Sequence, residues 1–291
     1  MNPLLPFELH RPKTLEEALR LIAELESARL IAGGTDLLIA LRGGAVKASN
    51  LVDLGLIKEL RYIKKDINRI RIGATTTFTD ILGSKLLAER VQVLRDSVAQ
   101  LGSVQVRNIG TLGGNLCNAS SGADAATPLL ALGAEVTIAS RNGSREMPLT
   151  GFFTGPKRTC MGPDEILTEI SFPVPPDGSG GSFKKLGRRK GLTLSLINAA
   201  AYLELEGDEC RKARVAIGAC APTPIRIADL EEILRGKRID DGVIRDATSV
   251  CYDIVRPSTR EYARASEVYR REMSCVLTKR ALTEAYRRAR G

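Results

Sequence analysis

The stretch Arg29 to Leu38 reads RLIAGGTDLL. A short apolar run, Leu30-Ile31-Ala32, enters the glycine turn Gly33-Gly34-Thr35-Asp36 and continues into the apolar run Leu37 to Leu41. That order reads as strand, turn, helix. Adjacent glycines reach positive φ freely and have no side chain to hold a ligand away from the backbone. Successive amide N–H groups in such a turn can face one concavity and hold an anion, and the start of the following helix adds its dipole. A second stretch, Thr111-Leu112-Gly113-Gly114-Asn115, repeats the pattern far along the chain. Two such turns can grip both phosphates of a dinucleotide from opposite sides, with Thr35, Thr111 and Asn115 adding side-chain donors. Each Gly-Gly alone reads more readily as an ordinary tight turn. The chain has neither G-x-x-x-x-G-K-[ST] nor G-x-G-x-x-G, so phosphate-loop and Rossmann explanations are weak.

Working outward, Thr14 caps a helix whose apolar stripe is Leu15, Ala18, Leu19, Ile22 and Leu25, with Glu17 as the second half of a capping box. Asn50 to Leu54 and Arg69 to Gly73 read as strands. Thr79-Asp80 opens one helix and Val91 to Leu101 forms another. Residues 105–116 hold too much glycine and asparagine for a plain helix or strand. Ala125 to Gly133 reads as helix and Glu135 to Ala139 as strand. Pro173 to Gly181, prolines followed by glycines, marks a linker or exposed loop. Beyond it, Ser195 to Leu205 and Ala213 to Gly218 read as long strands. Ala228 to Leu234, Asp241 to Tyr252 and Glu267 to Arg290 read as helices. Strands followed by packed helices give an α+β second domain.

The 291 residues suggest two domains. A chain this long buries about three quarters of its extended surface and needs no staple. Apolar residues make up 43% and charged residues 26%, as in an ordinary globule. No apolar run approaches the roughly 20 residues that span a bilayer. The N-terminus lacks the basic and apolar regions of a signal peptide, so a cytoplasmic protein with reduced thiols is expected. His10 is the single histidine, which argues against a Ser-His-Asp triad or a multi-histidine zinc site. The six cysteines form no C-x-x-C pair, so no metal or cluster site is expected in this chain. Net charge is +9, with basic runs at Lys184 to Lys190 and Arg270 to Arg290. No nucleic-acid-binding signature accompanies them, and an anionic small ligand or an acidic protein partner is the preferred reading over nucleic acid.

RLIAGGTDLL, together with QVRNIGTLGGNLCNASSGADAATPLLALGAEV at Gln105 to Val136, resembles the FAD-binding medium subunit of molybdenum hydroxylases, the xanthine dehydrogenase and aerobic carbon monoxide dehydrogenase family. NLVDLGLI (Asn50 to Ile57) and IRIGATTTFTDI (Ile70 to Ile81) fall between these motifs in the family's order. SFKKLGRRKGLTLSLINAA (Ser182 to Ala201) and EVYRREMSCVLTKRAL (Glu267 to Leu282) resemble the family's C-terminal domain. The resemblance implies a two-lobed FAD-binding domain of the PCMH/vanillyl-alcohol-oxidase type over residues 1–175, with lobes of about 1–57 and 58–175. A C-terminal α+β domain, an antiparallel sheet with helices, follows over 176–291.

The resemblance also assigns residues. Ala32, Gly33, Gly34, Thr35 and Asp36 form one pyrophosphate loop, and Thr111, Gly113, Gly114 and Asn115 the other. Asp36 is tolerable beside phosphate only if its amide faces the anion and its carboxylate turns away. Asp124 would accept hydrogen bonds from sugar or ribityl hydroxyls, and could also cap the helix starting at Ala125. Ile166 and Leu167 would contact the flavin ring or simply pack in the core. Lys185 would stabilise negative charge on reduced flavin, although Lys184 is open too, since only one of the two faces the site on a strand. The Thr35-Asp36 pair stands where carbon monoxide dehydrogenases carry His-Ser, which argues mildly against that substrate. No residue of this chain need act as acid, base or nucleophile. The implied role is electron relay. A large partner subunit with a molybdenum cofactor hydroxylates the substrate, and a small iron–sulfur subunit passes electrons to FAD here, for delivery to NAD, oxygen, a quinone or another carrier. A dimer of heterotrimers is expected from the family. The rival readings are a stand-alone FAD oxidoreductase and a basic scaffold or nucleic-acid module whose glycine turns bind nothing.

Overall fold

The computed structural model describes residues 4–189, 191–257 and 265–291, so Lys190 of the first basic run lies outside the described residues. The chain opens with β1 (Glu8–His10), α1 (Leu15–Glu24), β2 (Ala28–Ile31), α2 (Leu37–Arg42) and β3 (Asn50–Asp53). The three strands form a parallel sheet in the order β1-β3-β2, which requires the intervening crossovers. Thr14 caps α1 by accepting from the Glu17 amide. The Glu17 carboxylate bonds the Lys13 amide at 2.9 Å, so the expected box closes one residue early. Ala18, Leu19 and Ile22 lay the buried face of α1 on Val52, Leu54 and Ile57. α2 buries none of its residues.

The next elements are β4 (Ile63–Lys65), β5 (Arg69–Gly73), α3 (Phe78–Gly83), α4 (Lys85–Arg90), α5 (Gln92–Ala99), α6 (Val104–Ile109), α7 (Leu112–Cys117) and α8 (Ala126–Leu132). They are followed by β6 (Glu135–Ser140), β7 (Gly143–Pro148), β8 (Phe153–Gly155), β9 (Arg158–Thr159) and β10 (Ile166–Pro173). Five of these strands form an antiparallel sheet, β4-β5-β10-β6-β7. α3 opens at Thr77, whose hydroxyl and the Asp80 carboxylate form a reciprocal capping box. Residues 105–116 correct the expectation of irregular chain, because they lie mostly in the two short helices α6 and α7. Ser103 and Thr111 each supply a cap, accepting from Val106 and Gly114. Gly113 packs where an added Cβ would lie 2.7 Å from the Ala74 carbonyl oxygen, so close packing offsets its poor helix propensity.

The last part contains β11 (Ser179–Gly187), β12 (Ser195–Glu206), β13 (Glu209–Gly218), β14 (Ile225–Arg226), α9 (Ala228–Leu234), α10 (Asp241–Ser249), α11 (Cys251–Ile254) and α12 (Glu267–Arg290). The sheet is antiparallel in the order β11-β12-β13-β14. The helix expected over Asp241 to Tyr252 divides between α10 and α11. The expected linker is shorter than its glycines suggested. Gly180 and Gly181 sit inside β11, and a Cβ on Gly180 would lie 2.1 Å from the Ala285 carbonyl oxygen of α12. Those glycines serve close helix–strand approach.

The C-terminal sheet is buried on both faces. Ile197, Ala199, Ala201 and Leu203 pack with α9 to α12. Phe183, Ala200, Tyr202 and Ala216 join the core built on α5, α8 and the five-stranded sheet. The result is a mixed α+β, two-domain arrangement. Among the described residues no helix is long and apolar enough to cross a membrane, and no group of three or more His, Cys, Asp or Glu is placed to hold a metal ion.

Candidate nucleotide-binding site

A cleft of about 490 Å³ opens between the parallel sheet and the antiparallel one. Ile22, Arg29, Ala32 and Leu54 line one wall, and Thr111, Gly113, Gly114, Cys117 and Leu167 the other. The two glycine turns therefore meet. A Cβ on Gly33 would fall 2.0 Å from the Ile109 carbonyl oxygen and 2.9 Å from the Gly110 Cα, so only glycine lets the first turn touch the approach to the second. Gly34 has φ +68°, in the left-handed region that L side chains avoid.

The turns are unlike in their donors. Among the described residues, the amides of Gly33, Gly34, Thr35 and Asp36 donate to no protein acceptor. In the second turn the amides are occupied. Leu112 donates to Thr76, Gly113 to Ala74, Gly114 to the Thr111 hydroxyl and Asn115 to the Thr111 carbonyl. The second turn therefore contributes close approach and side chains, whereas the first contributes free N–H groups. Asn115 Oδ1 is buried and has no hydrogen-bond partner, a vacancy that a ligand donor would fill. Asp36 is exposed and its carboxylate makes no capping bond to α2.

Ala32, Thr111, Gly113, Gly114 and Leu167 line the cleft; Gly33, Gly34, Thr35, Asp36 and Asn115 adjoin lining residues without lining it themselves, and three candidates lie elsewhere. Ile166 is fully buried among Ala18, Ile22 and Val52, while its neighbour Leu167 faces the cleft, as alternation along β10 requires. Asp124 and Lys185 do not line the cleft. They pair with each other, Lys185 Nζ to Asp124 Oδ2 at 2.6 Å, where β11 meets the start of α8. This selects Lys185 over Lys184 as the inward-facing lysine. Asp124 does not cap α8: the cap position is Ala125, with no side-chain bond, because both carboxylate oxygens are engaged elsewhere.

Sequence reasoning missed Arg29, Cys117 and Glu165. Arg29 brings a positive charge to the cleft and forms no ion pair among the described residues. Glu165 is held below the usual carboxylate range by the Arg145 guanidinium and the Gly162 amide. Cys117 faces the cleft, yet enough protein surrounds its sulfur that burial pushes the thiol up to about 12. Arg29 was inside the motif itself, but nothing in a single exposed arginine distinguishes it before the fold brings it to the cleft. Free amides beside the cleft, an arginine without an ion pair among the described residues, an orphaned acceptor and a wall containing Gly113 and Gly114 together fit a diphosphate-bridged dinucleotide.

Residues 5–175 match the family described as FAD binding domain in molybdopterin dehydrogenase. The chain belongs to that family. Residues 181–285 match its companion, the CO dehydrogenase flavoprotein C-terminal domain. The xanthine dehydrogenase FAD-binding subunit of Escherichia coli O157:H7 is 34% identical over 284 residues, 97% of each chain. The glyceraldehyde dehydrogenase medium chain of Sulfolobus acidocaldarius is 32% identical, over 96% of this chain and 98% of that one. A solved carbon monoxide dehydrogenase chain from Hydrogenophaga pseudoflava superposes with a TM-score of 0.94 at 30% identity, covering 99% of both chains. As a molybdopterin dehydrogenase flavoprotein, this chain is an FAD-dependent oxidoreductase subunit. In the related complexes the molybdenum and iron–sulfur cofactors belong to other subunits.

Proposed function

We propose that this chain is the FAD-binding electron-transfer subunit of a molybdenum hydroxylase, and that FAD lies in the cleft with its diphosphate at the first glycine turn. Bound there, FAD supplies one-electron and two-electron chemistry, taking electrons from a partner's iron–sulfur clusters and yielding them to an external acceptor. The protein's own work is binding and positioning. The free amides of residues 33–36 and the Arg29 guanidinium offset the diphosphate charge. Thr111 donates from the opposite wall, Asn115 Oδ1 accepts from a hydroxyl or amine of the nucleotide, Gly113 and Gly114 keep the wall close, and Leu167 offers an apolar surface. Asp124 and Lys185 lie outside the lining of the cleft, and on this reading the flavin end of FAD extends beyond the cleft toward their ion pair. The observation that carries this reading is the contact of Gly33 with Ile109 and Gly110, which brings two distant motifs to one cleft.

We assign residues 1–175 to the FAD domain, with lobes 1–57 and 58–175, and residues 176–291 to the C-terminal domain. The partners are a large molybdenum subunit and a small iron–sulfur subunit, assembled as a dimer of heterotrimers in the cytoplasm. The pocket for the hydroxylated substrate lies on the large subunit. The test is to release and identify the cofactor by spectrum and mass, then alkylate Cys117 with and without FAD and map the product. FAD should be recovered and should slow labelling of Cys117 at least about tenfold. A labelling rate indifferent to FAD removes it from this cleft.

A further inference from the structure

The Asp124–Lys185 pair sits in a network more elaborate than an ion pair between two segments needs. Asp124 Oδ2 takes Lys185 Nζ. Asp124 Oδ1 accepts from the Ser195 hydroxyl at 2.6 Å and from Asn198 Nδ2 at 2.9 Å. Thr127 donates to Asn198 Oδ1 at 2.7 Å, which fixes the amide with its NH₂ toward Asp124. Asn198 is fully buried, Asp124 and Ser195 nearly so, and the Lys185 side chain is 4% exposed. Charges removed from water cost several kcal/mol each unless partners replace the lost hydration. The carboxylate is well supplied, with three donors. The ammonium is not: it has three hydrogens and two acceptors, Asp124 and the Gln100 carbonyl at 3.2 Å.

Three backbone features are spent on this network. Lys185 and Asn198 stand directly opposite each other on β11 and β12, so their side chains share a face. A bulge between Leu186 and Gly187 in the same ladder shifts the register by one residue. That shift returns Ser195 to the face of Asn198, although the two are an odd number of positions apart. Gly218, opposite Asn198 on β13, leaves the space: its Cβ would lie 2.4 Å from Asn198 Oδ1 and 2.8 Å from Thr127 Oγ1.

We propose that Ser195 and Asn198 are positioning residues: they hold Asp124 so that Asp124 holds Lys185 with one ammonium hydrogen left for the flavin, and the C-terminal sheet thereby sets the electron affinity of a cofactor seated in the N-terminal domain. This rests on the FAD reading above. Without the Asn198 donor only Ser195 holds that oxygen, so the carboxylate is less firmly oriented and the lysine moves with it. A purely structural clasp between domains would use the same bonds, and the potential of bound FAD separates the two.

The experiment measures the midpoint potential of FAD in the full-length, FAD-loaded chain by dye equilibration, with thermal melts of each variant. Lys185→Met should lower the potential. Ser195→Ala and Asn198→Ala should each lower it by a part of that shift, and Ser195→Thr, which keeps the hydroxyl, should restore it. In the Lys185→Met background Asn198→Ala should add nothing, because its effect travels through the lysine. An Asn198→Ala shift that survives undiminished without Lys185 overturns the proposal. So does a potential unmoved by Lys185→Met in protein that still binds FAD, which leaves the FAD reading standing. If Asn198→Ala does not fold, the Ser195→Ala and Ser195→Thr pair decides in the same way. Wild-type protein that takes up no FAD sinks the functional reading itself.

Discussion

At Gly33 an alanine methyl would lie 2.0 Å from a backbone carbonyl oxygen, and backbone cannot rotate aside as a side chain can. Gly33→Ala should therefore push the two walls of the cleft apart and weaken FAD binding by at least about tenfold, equivalent to 1.4 kcal/mol. Gly44 is the control. It has φ +71° and nothing within 4 Å of its added Cβ, so Gly44→Ala meets the left-handed cost of about 1–2 kcal/mol in stability but not the collision. Fluorescence titration with FAD checks both, and equal affinities for the two variants would show that the turns need not touch. The sequence displayed both glycine pairs and suggested their joint use, and the resemblance gave that reading its weight. What it hid was the asymmetry between them. Whether an amide is free depends on which carbonyl the fold brings near, and Ala74 and Thr76 reach Gly113 and Leu112 only through tertiary packing. The same reason hid Ser195 and Asn198. A serine and an asparagine in an apolar strand read as tolerated polar residues until Asp124, distant in sequence, is seen to face them.

Among the elements, α12 was legible to the residue, since a long run of strong helix formers between Ser266 and the chain end leaves little choice. The residues 105–116 were not, because glycine and asparagine lower helix propensity while cap hydroxyls and tight packing raise it, and packing is invisible in one sequence. Nor was it legible how α12 is fastened. Glu284 accepts from Arg287 and Arg288, and Arg288 continues to Asp96 at 2.6 Å and to the Gly181 carbonyl at 2.7 Å, tying the helix to α5 and β11. Much of the basic excess at this end is thus bound within the molecule. The Arg287 and Arg288 guanidiniums hold the Glu284 carboxyl down at about 2, from a usual 4.5. A carboxylate depressed in the fold contributes stability above the unfolded value and loses it as the pH falls through the folded one. The contribution of Glu284 should therefore be whole above about pH 4.5 and gone below about pH 2. Because Glu284 keeps contact with solvent and its partner Arg287 is mostly exposed, the size should stay under about 1 kcal/mol. Urea titrations should show Glu284→Gln less stable than wild type at pH 7, with the difference closing between pH 4.5 and 2. A difference that does not change with pH would mean the ion pairs contribute nothing.

For the whole molecule, the question is whether two family-matched regions, 5–175 and 181–285, are two folding units. Their separate strand orders argue for independence, and the proline-rich segment between them reads that way in sequence. The core argues against it. Phe183, 1% exposed, leaves the C-terminal sheet to pack among the buried side chains of the N-terminal part, with Ala200, Tyr202 and Ala216 beside it. Arg214 crosses to the Leu132 carbonyl, and Ala219 donates to Ser121. Removing the C-terminal part would expose that surface and leave the Asp124 carboxylate without its donors. The chain should accordingly unfold in one transition, followed alike by far-ultraviolet dichroism and by release of FAD fluorescence. Phe183→Ala should cost about 3–5 kcal/mol, the range for a large aromatic cavity, and lower the midpoint on the order of 10 °C for a chain of this size. Since the ring belongs to the shared core, both signals should move together. Two separate transitions, with Phe183→Ala shifting only the one that leaves FAD bound, would show that the C-terminal sheet melts off a self-sufficient nucleotide domain. The positioning role of Ser195 and Asn198 would then have to survive that melting, which no contact made from β12 can do.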